Sequence, residues 1–217
     1  MFRSKSFNIN PSLVPDSLTH AKSASDIGTT VFDARKWVII KEVGSEKALI
    51  ESQKIINNIQ GNGWGYNIYG PLENEQYKWN NRYNDTLEIV KNILRINTIK
   101  AYVKYKIFFV AYFKAVPIGI LQFTPASHTS YGLPKIDFLA THCGIRNCAA
   151  LLIEYAMNKS FELGSDGKLI LSSLQGARQA YVNLGFISHG DTHLLILDPN
   201  NSDKWHFING CYKYRGD

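Results

Sequence analysis

The chain has 217 residues, 45% of them hydrophobic and 19% charged, which suits one globular domain with a substantial core. Its formal net charge of +6 is spread over dispersed lysines and arginines, with no basic run and no nucleic-acid motif; the surface is expected to attract anionic ligands rather than nucleic acid. The longest apolar stretch, Ile107–Phe113, ends at Lys114 and is too short to span a bilayer, while three cysteines, an odd number, argue for free thiols in a reducing, cytoplasmic setting.

Residues 1–30 differ from the rest. They hold six serines and prolines at 11 and 15, with few large apolar residues, and no apolar h-region follows Arg3 and Lys5. This segment reads as a poorly ordered leader or an arm packed on the domain; a sharper reading is the translocation signal of a secreted bacterial effector. The domain proper is expected over residues 31–217, opening with a strand at Trp37–Val43. Ser45 then caps a helix with Leu49, Ile55, Ile56 and Ile59 on its apolar face and Gly61 as its stop. Residues 61–83, rich in Gly, Asn, Tyr and Trp, read as a long functional loop or an aromatic lid on the core. Asp85 and Glu88 look like the capping box of the next helix, with Leu87, Val90, Ile93 and Leu94 turned inward. A hairpin follows over residues 106–124, then a polar connection over 125–135.

The stretch Ile136–Phe186 organises the chain. An apolar strand, Ile136–Thr141, enters a turn holding Cys143, Gly144 and Ile145, and a helix follows from about Asn147. A second strand, Lys168–Ser172, leads to a shorter helix that ends at Leu184 before Gly185. This is a βαβ unit with a further helix attached. The first N–H groups of a helix entered from a strand lack intrahelical partners and carry partial positive charge, so the turn can hold phosphate. Gly144, Ala149 and Ala150 keep its backbone accessible, and Arg146 can add a charge-assisted contact. Neither GxGxxG nor GxxxxGK[ST] occurs, so dinucleotide and P-loop sites lack their signature. Residues 193–198 and 205–214 read as two closing antiparallel strands. The fold class expected is α/β (or α+β): a mixed central sheet flanked by helices.

Three motifs in order resemble the GNAT superfamily of acyl-CoA-dependent N-acyltransferases. Arg146-Asn147-Cys148-Ala149-Ala150-Leu151 stands where that family has [RQ]-x-x-G-x-[GA]. Ala177, Tyr181 and Gly185-Phe186 follow its downstream pattern, and KIFFVAYFKAVPIGILQF fits its hairpin with an Ile118-Gly119 step. The resemblance covers Trp37 to the C-terminus. Ala149 and Leu151 depart from the pattern, and Leu174 and Gln175 occupy the region where the family often has asparagine. The resemblance implies that Leu139, Thr141, Gly144, Arg146, Asn147, Cys148, Ala149, Ala150 and Leu151 hold acetyl-CoA.

The resemblance further implies that Tyr181, four residues before the Gly of Gly-Phe, is a general acid; a packed tyrosine sharing helical spacing with Ala177 and Leu184 is the plainer alternative. For the base, Asp137 inside the apolar strand would have a raised pKa if buried, although a salt-bridged or surface-edge aspartate fits at least as well; His142 and His128 are further candidates. Cys143, Cys148 and His142 do not complete a tetrahedral zinc set, and no metal is expected. A thiol at Cys143 would be reactive if it met the helix N-terminus. The function expected is transfer of acetyl from acetyl-CoA to an amine of a small molecule or protein. The alternatives are a catalytically degenerate module that binds CoA or a protein partner, and a secreted effector that acetylates a foreign protein.

Overall fold

The computed structural model describes residues 32–61, 74–190 and 193–216; the leader 1–30 and residues 62–73 of the aromatic-rich stretch lie outside them. Strands β1 (Phe32–Asp33) and β2 (Val38–Val43) are followed by helices α1 (Ser45–Gly61), α2 (Asn74–Asn97) and the short α3 (Lys100–Val103). Then come β3 (Ile107–Phe113), β4 (Val116–Thr124), β5 (Lys135–Thr141), the two-residue β6 (Ile145–Arg146) and α4 (Cys148–Glu162). The chain closes with β7 (Leu169–Ser172), α5 (Arg178–Asn183), β8 (Ile187–Ser188), β9 (Leu194–Leu197), β10 (Trp205–Ile208) and β11 (Cys211–Tyr214).

Seven strands make one mixed sheet in the order β2-β3-β4-β5-β7-β9-β8, with helices on both faces. The expected fold class is the one observed. Strands β3 and β4 are buried on both sides, which is why IFFVAYF and IGILQF read as near-continuous apolar runs. Alternation sends Phe109, Ala111 and Phe113 to one face, where Leu152, Ile153, Ala156 and Met157 of α4 meet them. Phe108 and Val110 point the other way, against Ala48, Ile55 and Ile59 of α1 and Val90 and Ile93 of α2. Each large apolar side chain so buried contributes about 1.5–3 kcal/mol.

Three expectations are corrected. The stretch 61–83 is not loop throughout, because α2 begins at Asn74. Its inner face runs Trp79, Tyr83, Thr86, Val90, Ile93, Asn97, steps of three and four that continue one helical stripe back through residues whose polarity hides it. Asp85 and Glu88 therefore lie in the middle of a helix and cap nothing. Residues 205–214 are likewise a hairpin rather than one strand. Asn209 (φ 52°) and Gly210 (φ 82°) turn β10 back into β11, the Asn-Gly pair that a two-residue turn with two positive φ values favours.

That hairpin does not join the main sheet; it is tied to α4. Asn158 Oδ1 accepts from the Tyr212 amide at 2.7 Å and Asn158 Nδ2 donates to the Tyr212 carbonyl at 3.1 Å, so a helix side chain stands in for a neighbouring strand. Glu154, 6% exposed, accepts from Lys213 Nζ at 2.6 Å and from the Tyr214 amide at 3.1 Å. Both carboxylate oxygens are satisfied, which is what a buried charge requires. Among the described residues, no helix is long and apolar enough to cross a membrane.

Candidate active site

Strand β5 pairs with β4 as far as Thr141 but meets β7 only at Lys135↔Ile170 and Ile136↔Leu171. Beyond Ile136 the two parallel strands part. A cavity of about 330 Å³ fills the wedge, floored by Ile136, Asp137, Phe138, Leu139, Leu171 and Ser172. One wall is α2, through Asp85, Glu88, Ile89 and Asn92; the other is α5 and the turn before it, through Leu174, Ala177 and Tyr181.

The end of α5 fixes Tyr181. Gly185 takes φ 92°, its N–H donates to the Val182 carbonyl at 2.9 Å, and the Phe186 N–H donates to the Tyr181 carbonyl at 3.1 Å. These two bonds are a Schellman ending, and the apolar contact that accompanies it is Tyr181 on Phe186, ring centroids 5.7 Å apart. It is φ that demands glycine there; a Cβ would also meet Ser202 Oγ, which would have to turn away. The Tyr-x-x-x-Gly-Phe spacing thus has a local physical cause: it is a helix stop that holds one tyrosine at a cavity wall. Burial pushes its phenol up to about 12.

The turn after β5 ends at the N-terminus of α4. Asn147 adopts the left-handed conformation (φ 61°, ψ 3°) and its side chain makes no capping hydrogen bond. Asparagine tolerates this conformation better than most residues. The first helical bond runs from the Leu151 amide to the Asn147 carbonyl at 3.0 Å. The amides of Cys148, Ala149 and Ala150 precede that bond and so lack i−4 partners. No acidic residue occupies the first turn of this 15-residue helix, and Arg146 beside it is exposed. The aligned peptide dipoles concentrate partial positive charge at this end.

The side chain of Cys148 points inward. It is fully buried, its sulfur lies where a Cβ on Gly119 would come within 3.4 Å, and burial pushes the thiol up to about 12. Cys143 is held up to about 12 as well, chiefly by burial, the opposite of a reactive thiolate. Leu139 lines the cavity, and Thr141 sits where β5 ends, its carbonyl accepting from Thr86 Oγ1 at 3.0 Å.

The base candidates are placed differently from one another. Asp137 reaches the cavity floor, but its Oδ2 accepts from Lys106 Nζ at 2.8 Å and from the Thr124 hydroxyl, and Lys135 Nζ is 3.7 Å from Oδ1. Asp137 is thus ion-paired at the cavity floor. His142 is buried, its Nδ1 accepts from the Gly144 amide at 2.9 Å, and it is not among the residues that line the cavity. His128 stacks on Tyr105, centroids 3.8 Å apart, in the connection before β5. Among the described residues, no three His, Cys, Asp or Glu side chains gather as a metal set. Sequence reasoning did not single out Asp85, Glu88, Ile89 and Asn92 as wall residues. Their spacing of three and four on α2 is the signal, legible once the helix is known to start at Asn74.

No family model and no curated protein matches the chain. Among solved structures it is similar to the PaiA N-acetyltransferase of Thermoplasma acidophilum in complex with coenzyme A, at 14% identity over 74% of this chain and 98% of that one, with a TM-score of 0.44. It is similar to a GNAT family acetyltransferase of Brucella melitensis in complex with acetyl-CoA, at 14% identity over 82% of this chain and 96% of that one, with a TM-score of 0.43.

Proposed function

We propose that the chain is an N-acetyltransferase that moves an acetyl group from acetyl-CoA to an amine of a small molecule or protein. One observation carries this reading: the wedge between β5 and β7 brings Tyr181 and the free edge of β5 into one cavity. The residues fit acetyl-CoA. A helix N-terminus with no side-chain cap and no acidic residue in its first turn, with Arg146 beside it, suits a pyrophosphate, and a wedge with a largely apolar floor and an unpaired strand edge suits a slender polyamide arm.

Acetyl-CoA supplies an activated thioester; the chain supplies position, dryness and proton traffic. Backbone amides 148–150 and Arg146 anchor the anionic end, and Leu139 with Thr141 guides the arm along β5. The acceptor nitrogen bonds to the acetyl carbon as the C–S bond breaks, and the departing sulfur needs a proton. Tyr181 keeps its proton throughout the neutral range, as any phenol does, and burial raises it further, to about 12. A phenol that weak gives up its proton only as charge grows on sulfur, so its contribution falls in the transition state. The acceptor loses a proton as it attacks; Asp85 and Glu88 on the α2 wall offer carboxylates that can draw a cationic amine in and pass that proton to water.

A CoA-binding module without turnover is the second reading, favoured by the engagement of Asp137 with Lys106 and of His142 with Gly144. Thiol release from acetyl-CoA against a panel of amines and peptides separates the two, since the enzyme releases thiol only with an acceptor. Calorimetry tests what they share: Ala149→Glu should abolish acetyl-CoA binding, and equal affinity in both proteins would overturn either reading.

A further inference from the structure

Helix α2 meets both halves of the proposed site. Residues Asp85 to Asn92 wall the cavity, while Trp79 and Thr86, seven residues apart on one face, hold the chain that leads from β5 into α4. Trp79 is fully buried, yet it belongs to neither of the two hydrophobic clusters that form the core among the described residues. It packs on the turn instead. Its indole meets the His142 ring edge-on, centroids 6.3 Å apart at 87°. A Cβ on Gly144 would lie 2.7 Å from Cη2, the far edge of that indole, and 3.3 Å from His142 Cε1. Gly144 is not among the glycines with positive φ, so it is space and not backbone conformation that requires glycine there. The Gly144 amide, fixed by this contact, donates to His142 Nδ1.

We infer that Trp79 is a positioning residue for the phosphate-binding turn: the indole wedged against Gly144 and His142 sets the backbone of residues 142–147, and through it the direction in which the amides of α4 point. The inference rests on the acetyl-CoA reading above. Its physical basis is that a rigid aromatic plate touching a glycine leaves the turn one arrangement, whereas a smaller side chain leaves several. A ligand would then have to order the turn at its own cost.

The test is a compensating pair of substitutions. Gly144→Ala drives a methyl into the indole and should weaken acetyl-CoA binding by about tenfold or more. Trp79→Phe alone should also weaken it, by leaving the turn unsupported. In the double variant Gly144→Ala/Trp79→Phe the shorter ring no longer reaches the Cη2 position, so the methyl has room and binding should recover to within about threefold of wild type. For turnover, KM for acetyl-CoA should rise in each single variant while kcat at saturation holds. Amide hydrogen exchange without ligand gives a second readout: exchange at residues 144–150 should quicken in Trp79→Phe while α1 stays protected. If both single variants lose melting temperature but bind acetyl-CoA as wild type does, Trp79 merely packs and the inference fails. If the wild type binds no acetyl-CoA at all, the functional reading falls first and takes the inference with it.

Discussion

The backbone amide of Gly144 donates to Nδ1 of His142, 2.9 Å away, inside the turn that delivers the chain to α4. By accepting this amide the imidazole ties the two ends of the turn together, a bracket for the loop. His142→Phe keeps a ring edge against Trp79 but removes the acceptor, leaving the Gly144 amide buried without a partner. Stability should fall by about 1–3 kcal/mol in a urea titration, with acetyl-CoA affinity falling alongside. A histidine serving as general base would show the reverse pattern, lost turnover at unchanged stability.

The β3–β4 hairpin turns through Lys114 (φ 45°) and Ala115 (φ 66°), two side-chain-bearing residues in a region that favours glycine. Each costs about 1–2 kcal/mol relative to an unstrained backbone, and asparagine or glycine relieves most of it. The double substitution Lys114→Asn/Ala115→Gly should therefore raise stability by about 1 kcal/mol without touching the cavity. A melting temperature that stays level or drops would show that the turn is held by contacts other than its own backbone preference.

How much of this was legible in the sequence depends on where the signal lay. Strands β3, β4, β5 and β7 and helix α4 are apolar runs of the right length between turn residues, and each falls within a residue or two of its expected place. Tyr181 and Gly185 could be paired from spacing, because the Schellman ending is a local device. The opening of α2, residues 74–83, was missed because Asn, Gln, Tyr and Trp mask a stripe that only Trp79 and Tyr83 mark, and the β10–β11 hairpin because its Asn-Gly turn lies inside an aromatic run. The partners of Asp137 were beyond reach: Lys106 and Thr124 come to it across strands, 31 and 13 residues away in the chain. Non-local pairing leaves no pattern in a single sequence.

On the α2 wall, Asp85 and Glu88 stand exposed at the cavity, one helical turn apart. Glu88 also pairs with Lys91 at 3.2 Å, a surface contact of little energetic weight. If these carboxylates guide a cationic amine, Asp85→Asn/Glu88→Gln should raise KM for amine acceptors about three- to tenfold while leaving KM for acetyl-CoA in place. The difference should shrink as salt is added, since exposed charges are screened over about 8–10 Å at 0.1–0.15 M. A salt-independent change would point to altered shape instead.

The decisive variant is Tyr181→Phe. The ring is held by the end of α5 and by its contact with Phe186, and phenylalanine keeps both while losing the hydroxyl. A group that donates its proton only as charge develops on the departing sulfur works in the transition state alone. Turnover should fall by about 10²–10⁴-fold, with acetyl-CoA affinity nearly unchanged. The pH dependence follows from the direction of the shift. Burial raises the phenol from 10.0 to about 12, so the folded protein holds this proton more tightly than the unfolded chain does. Whatever stability that contributes is fully present below pH 10 and is lost as pH climbs towards 12, and the loss should be smaller in the phenylalanine variant. The wild-type rate should likewise show no decline from phenol ionisation between pH 7 and 10. If the rate of Tyr181→Phe matches wild type while stability drops by about 1 kcal/mol, the hydroxyl is a packing group and another donor must protonate the sulfur.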